Sequence, residues 1–139
     1  MKKIIEQKQR IRKNVRQDIE DTDPFRPKIL APVGDFISLK AALDARCDEI
    51  YFGIKGFNMR AGAKNFELKD LKKIVRMCHD KNIKAYLTIN IIIYEDETNK
   101  LTKLVKAAKD AGIDAIICWD MAVINECQRQ DMDIHLSLD

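Results

Sequence analysis

The residues whose types could do chemistry stand at or just beyond the ends of short apolar runs. Asn58, Arg60 and Lys64 follow Ile50-Tyr51-Phe52-Gly53 in a loop punctuated by Gly53, Gly56 and Gly62. Glycine lets backbone approach a ligand closely, and a guanidinium or ammonium group pairs with carboxylate or phosphate, so this loop is read as an anion-binding candidate. Ordinary turn glycines with surface cations are the competing reading. Thr88 and Asn90 close a third apolar run, with Glu95 just beyond, and Asn90 joins Asn58, Arg60 and Lys64 as a ligand-binding candidate. Asp120 follows a fourth run, and His135 and Ser137 lie on the last. Ser137, His135 and Asp120 supply the types of a nucleophile, base and acid, but two residues spaced by two on a strand share a face without any fixed proton-transfer geometry. The plainer roles are a helix cap for Asp120 and a hydrogen-bonded core residue for His135. No G-x-S-x-G elbow or H-E-x-x-H metal motif is present, and catalytic residues stay unassigned.

These positions converge only if the runs are parallel strands, and the chain alternates accordingly. Lys28 to Pro32, Ile50 to Gly53, Ile83 to Ile89, Ala115 to Cys118 and Ile134 to Leu136 read as five strands. Between them, Asp35 caps a helix with Phe36, Leu39, Leu43 and Cys47 on its apolar face, and Asn65 caps one carrying Leu68, Leu71, Val75 and Cys78. A third helix buries Leu101, Leu104, Val105 and Ala108 before Gly112, and a fourth runs from Asp120 through Val123, Ile124 and Cys127. Strands alternating with helices imply a parallel sheet, because each crossover needs a helix. The first turn lacks a G-x-G-x-x-G fingerprint, so a (β/α) barrel is preferred over an open doubly wound sheet. The expected fold is α/β, a partial TIM-like barrel of about four βα units plus a fifth strand at residues 28–139, since a full barrel takes about 250 residues.

Residues 1–27 are read as a separate basic leader helix and linker. Within residues 1–16, Lys2, Lys3, Lys8, Arg10, Arg12, Lys13 and Arg16 face Glu6 alone, a net +6 against −3 for the remainder, so the basic character of the +3 chain belongs to this arm. Ile4, Ile11, Val15 and Ile19 recur at helical spacing. The arm could attract an RNA backbone, though its basic stretch 1–16 has no aromatic residue for base stacking, and a solvated helix is the alternative. The 46% hydrophobic and 34% charged composition is that of a soluble globular protein. No apolar run approaches the roughly 20 residues of a membrane span, and no secretory signal is evident, so a cytoplasmic protein is expected. Cys47, Cys78, Cys118 and Cys127 are widely spaced without a C-x-x-C pair and read as buried thiols rather than metal ligands.

Ile29-Leu30-Ala31-Pro32-Val33-Gly34, Leu39-Lys40-Ala41-Ala42-Leu43-Asp44-Ala45, Tyr51-Phe52-Gly53 with Phe57-Asn58-Met59-Arg60-Ala61 and Asn65-Phe66, and then Lys84 to Asn90, Ala111 to Ile117 and Ile134 to Ser137 occur in an order and spacing that resemble the collagenase-like peptidase family (family U, number thirty-two). The resemblance covers about residues 28 to 137. It implies a TIM-barrel-like core and two activities: peptide-bond hydrolysis, and assistance of RNA or quinone hydroxylation in iron-sulfur relatives. The family's diagnostic cysteine segment lies beyond the His-x-Ser strand, and Leu138 and Asp139 depart from the usual continuation. Cys47, Cys78, Cys118 and Cys127 match none of the family's cluster cysteines, so no metal or cofactor is expected within this chain, an iron-sulfur cluster belonging to full-length relatives. The expectation is the amino-terminal half of such a barrel, inactive without a carboxyl-terminal half. The alternatives are part of an iron-sulfur hydroxylation factor and a noncatalytic RNA- or protein-binding remnant. Expected partners are the missing half, a second copy at the open sheet edges, or RNA at the leader.

Overall fold

A computed structural model describes residues 25–58 and 66–137. Five strands, β1 (Leu30–Pro32), β2 (Glu49–Gly53), β3 (Lys84–Ile89), β4 (Ala115–Cys118) and β5 (Ile134–Leu136), alternate with α1 (Phe36–Asp44), α2 (Leu71–His79), α3 (Thr98–Ala111) and α4 (Met121–Arg129). The element ends follow local chemistry. The Asp35 carboxylate accepts from the Ser38 amide at 2.8 Å while the Ser38 hydroxyl accepts from the Asp35 amide at 3.1 Å, a reciprocal cap that starts α1. Gly112 ends α3 at φ +87°, in the left-handed region that a side chain would strain.

All neighbouring strands pair in parallel, in the order β1-β2-β3-β4-β5. A doubly wound sheet reverses its strand order at a switch point. This sheet advances in one direction, so right-handed crossovers place its helices on one face. α2 packs on α3, and α3 packs on α4, as that arrangement requires. The architecture is the α/β partial barrel that the alternation predicts. Among the described residues, no helix is long and apolar enough to cross a membrane.

Two readings of local structure need correction. Leu68 was expected on the buried face of the second helix, but it lies in a 3₁₀ turn at Leu68–Asp70 and is 48% exposed. Three residues per turn move it off the stripe that Leu71, Ile74, Val75 and Cys78 bury. Lys28 and Ile29 precede the β1 ladder, where the exposed Ile29 accepts the Asp48 and Glu49 amides through its carbonyl and donates its own amide to the Asp48 carboxylate at 2.7 Å. Asn65, the proposed cap, and residues 1–24 of the basic leader lie outside the described residues.

Register divides the sheet into two faces, because partners in a parallel ladder point the same way. Ile50, Phe52, Ala85, Leu87, Ile89, Ile116 and Cys118 face the helices and join Leu39, Ile74, Leu101, Val105 and Val123 in the core. The opposite face, the one a closed barrel would turn inward, carries Glu49, Tyr51, Tyr86, Thr88, Ile117 and His135.

Candidate functional site

One row of residues crosses the open face near the carboxyl ends of the strands: Gly53 pairs with Thr88, Thr88 with Ile117, and Ile117 with His135. Loops at these strand ends are where parallel α/β folds place their chemistry. Gly53 keeps the first place in the row empty for a reason. A Cβ built there would lie 1.9 Å from Asn58 Nδ2, so the Asn58 amide lies over the bare Cα next to Thr88.

Thr88 is 8% exposed, and its Oγ1 has no hydrogen-bond partner among the described residues. A buried hydroxyl left unpaired is costly, so in a native protein it calls for a partner. At the far end of the row the exposed His135 ring packs edge-on against Tyr86, with ring centroids 4.6 Å apart. Burial pushes the Tyr86 phenol up to about 12, helped by its hydrogen bond to the Glu49 carboxylate. Glu49 in turn lies 3.4 Å from the Lys28 ammonium. A cation, a carboxylate, a phenol and an imidazole therefore follow one another along the open face. Together they can hold a polar ligand, and His135 can exchange a proton at its exposed end.

The other sequence-derived candidates are placed as follows. Asp120 starts α4, its Oδ1 accepting from the Ala122 amide at 2.7 Å and its Oδ2 from the Ile93 amide at 3.5 Å. It caps the helix and ties down the connection after β3. Ser137 continues β5, its amide donating to the Cys118 carbonyl at 2.9 Å. Among the described residues, no hydrogen bond joins His135 to Ser137 or Asp120. The Asn90 carbonyl accepts from Trp119 Nε1 at 3.1 Å, which fastens the ends of β3 and β4 together at the mouth. Arg60 and Lys64 lie outside the described residues. Asn58, Thr88 and His135 thus share one row, whereas Asp120 is committed to backbone. Glu49 and Tyr86 were missed by the sequence reading. Their signal was period-two placement: Glu49 stands two residues before Tyr51, just ahead of the apolar run read as the second strand, and Tyr86 two residues before Thr88 on the third.

All four cysteines are buried free thiols. Burial pushes Cys78 and Cys127 up to about 12 and Cys118 up to about 11, and it also raises Cys47. Burial makes their thiolate form costly. Among the described residues, no three His, Cys, Asp or Glu side chains gather as a metal site. The residues described therefore do not fit an iron-sulfur cluster.

Comparison with known proteins bears on the same region. The model of peptidase family U32 matches residues 34–139. A collagenase of Porphyromonas gingivalis is 44% identical over 111 residues, which cover 79% of this chain and 27% of that protein. The tRNA hydroxylation protein P1 of Bacillus subtilis is 30% identical over 114 residues, covering 81% of this chain and 27% of that protein. The chain therefore spans about a quarter of the length of these relatives. Among solved structures, a 2,3-dimethylmalate lyase of the PEP mutase/isocitrate lyase superfamily superposes with a TM-score of 0.51 at 18% identity, covering 89% of this chain and 49% of the lyase.

Proposed function

Because this chain belongs to peptidase family U32, we propose that its sheet forms one wall of the substrate chamber of a barrel peptidase whose remaining strands close against β1 and β5. The observation that carries the reading is the unequal treatment of the two sheet faces. Helices cover one, while the other presents Asn58, Thr88, Tyr86, His135 and Glu49 toward the space that further strands would enclose. In this role Asn58 and Thr88 supply hydrogen bonds to a peptide backbone. His135, supported by Tyr86, handles the proton. With the wall open the nucleophile or water it would serve is not confined, so the chain alone hydrolyses nothing. The similarity to a collagenase points to denatured collagen as the substrate to test first. We place the protein in the cytoplasm, where buried thiols stay reduced.

The test is a chimera in which residues of this chain replace the matching 111 residues of the Porphyromonas gingivalis collagenase. The folded chimera is expected to hydrolyse gelatin, His135→Ala in it to abolish hydrolysis, and the chain alone to leave gelatin and casein intact. A folded but inactive chimera, or gelatin cleavage by the chain alone that survives inhibitor controls, would sink the reading. The second reading, part of an RNA hydroxylation factor, is favoured by the relative from Bacillus subtilis and by the seven cations between Lys2 and Arg16. It gains if the equivalent chimera in that protein restores tRNA hydroxylation while the collagenase chimera stays inactive.

A further inference from the structure

A cavity lies away from the open face of the sheet. It has a volume of about 340 Å³ and sits between the described residues Ile54, Lys55, Phe57, Glu67 and Leu68 and the first half of α3. Its floor is Ile54 and Leu104, both members of the helix-side core and only 3% and 2% exposed. Phe57 and Leu68 form apolar walls. The volume falls within the range of small-molecule sites, which are concave and mostly apolar with a few polar groups at the edge.

The rim is cationic. Lys55, Lys100 and Lys103 border the cavity, and none has an acidic partner among the ion pairs of the described residues. The one acidic rim residue, Glu67, is already paired, its carboxylate 2.7 Å from the Lys69 ammonium. Glu95, Asp96 and Glu97 precede α3 but are not among the residues lining the cavity. The 3₁₀ turn that displaces Leu68 from the core stripe also sets that half-exposed leucine on the cavity wall. Three ammonium groups without an acidic partner among the described residues, set around an apolar hollow, are complementary to a ligand with an apolar body and a negative head.

We propose that this cavity binds a small amphipathic anion, a single aromatic ring system or short alkyl chain carrying one phosphate or carboxylate group, at a site separate from the peptide chamber. The apolar body rests on Ile54 and Leu104 between Phe57 and Leu68, and the anionic head meets Lys100 and Lys103.

The test titrates the intact chain with 1-naphthyl phosphate and with neutral 1-naphthol, following methyl resonances by NMR. Saturable shifts are expected at the Ile54, Leu68 and Leu104 methyls, with the phosphate bound about fivefold more tightly than the naphthol, as suits exposed lysines. The double variant Lys100→Glu/Lys103→Glu should erase that preference. Lys106→Glu, on the same helix but not lining the cavity, should preserve it. Circular dichroism confirms that each variant is folded. Shifts confined to Ile117 or Leu136, equal affinity for the two probes, or a preference that survives the double charge reversal would each overturn the proposal.

Discussion

The two faces of one sheet obey different rules. On the helix side, Phe52, Leu87, Ile89 and Ile116 are all but fully buried, and the layer is closed by four helices. On the other side the same strands present Glu49, Tyr51, Tyr86, Thr88 and His135, with one buried hydroxyl unpaired among the described residues and one glycine kept bare for the Asn58 amide. Hydrophobic burial therefore stabilises the first face, and directional polar contacts organise the second. The difference teaches that stability and the candidate chemistry are separated by the thickness of a single sheet, so a substitution can strike one and spare the other.

The sharpest test of that separation is Phe52→Ala. Phe52 is 1% exposed and meets the Phe66 ring edge-on at 5.5 Å. Removing such a ring from a packed core costs about 3–5 kcal/mol, so urea denaturation should show the variant largely unfolded. Ile117→Ala, on the partly exposed opposite face, should lose far less. Comparable losses at the two positions would erase the distinction.

Alkali should attack the covered face next. Cys78 and Cys127 have folded-state values raised from 9.0 to about 12 by burial. Because the folded value lies above the unfolded one, their contribution is complete below the unfolded value and disappears as pH rises toward the folded one. The unfolding free energy from urea titration should hold steady up to about pH 9 and then fall, by at most about 1.4 kcal/mol per pH unit for each thiol. Cys78→Ala/Cys127→Ala should flatten the decline. A slope unchanged in that variant would assign it elsewhere, with Tyr86 the next group to examine.

A smaller effect separates close approach from burial on the open face. Gly53→Ala drives a methyl into the Asn58 amide, and overpacking of this kind costs about 1–3 kcal/mol. Adding Asn58→Gly should return much of the loss, and a double-mutant cycle measures the coupling. Strict additivity would mean that Asn58 does not occupy the space over Gly53.

The smallest change has the opposite sign. Thr88→Val replaces a buried hydroxyl that has no partner among the described residues with a methyl of similar shape, and thermal melting of the isolated chain should show a gain of up to about 1 kcal/mol. In the active collagenase chimera the same substitution should lower gelatin hydrolysis, because the hydroxyl then has a substrate to meet. A destabilised isolated chain would show that the hydroxyl is already satisfied there.

Local chemistry was legible in the sequence wherever one residue type answers one backbone need. Asp35 and Asp120 announced helix starts, Gly112 announced a left-handed stop, and the stripe Leu101, Leu104, Val105 and Ala108 announced a buried helix face. The runs Ala115 to Cys118 and Ile134 to Leu136 marked their strands to the residue. Leu68 misled because a helical stripe and the 3₁₀ turn before it share the same apolar spacing until the turn rotates one member away. Glu49 stayed hidden because it stands one residue before the apolar run that marked its strand, and Tyr86 because the apolar residues around it obscure the alternation that separates the faces.

The sequence alone thus determined the alternation of strands and helices, the caps that bound them and the chain's likeness to one family, because those follow from interactions between residues near one another along the chain. Only the tertiary structure decided which strand neighbours which, which face the helices cover, that Thr88 and His135 share a row while Asp120 turns to backbone, and that Asn58 lies over Gly53. Those outcomes depend on strand register and crossover handedness, and a shift of one residue in either ladder would send every one of these side chains to the opposite face.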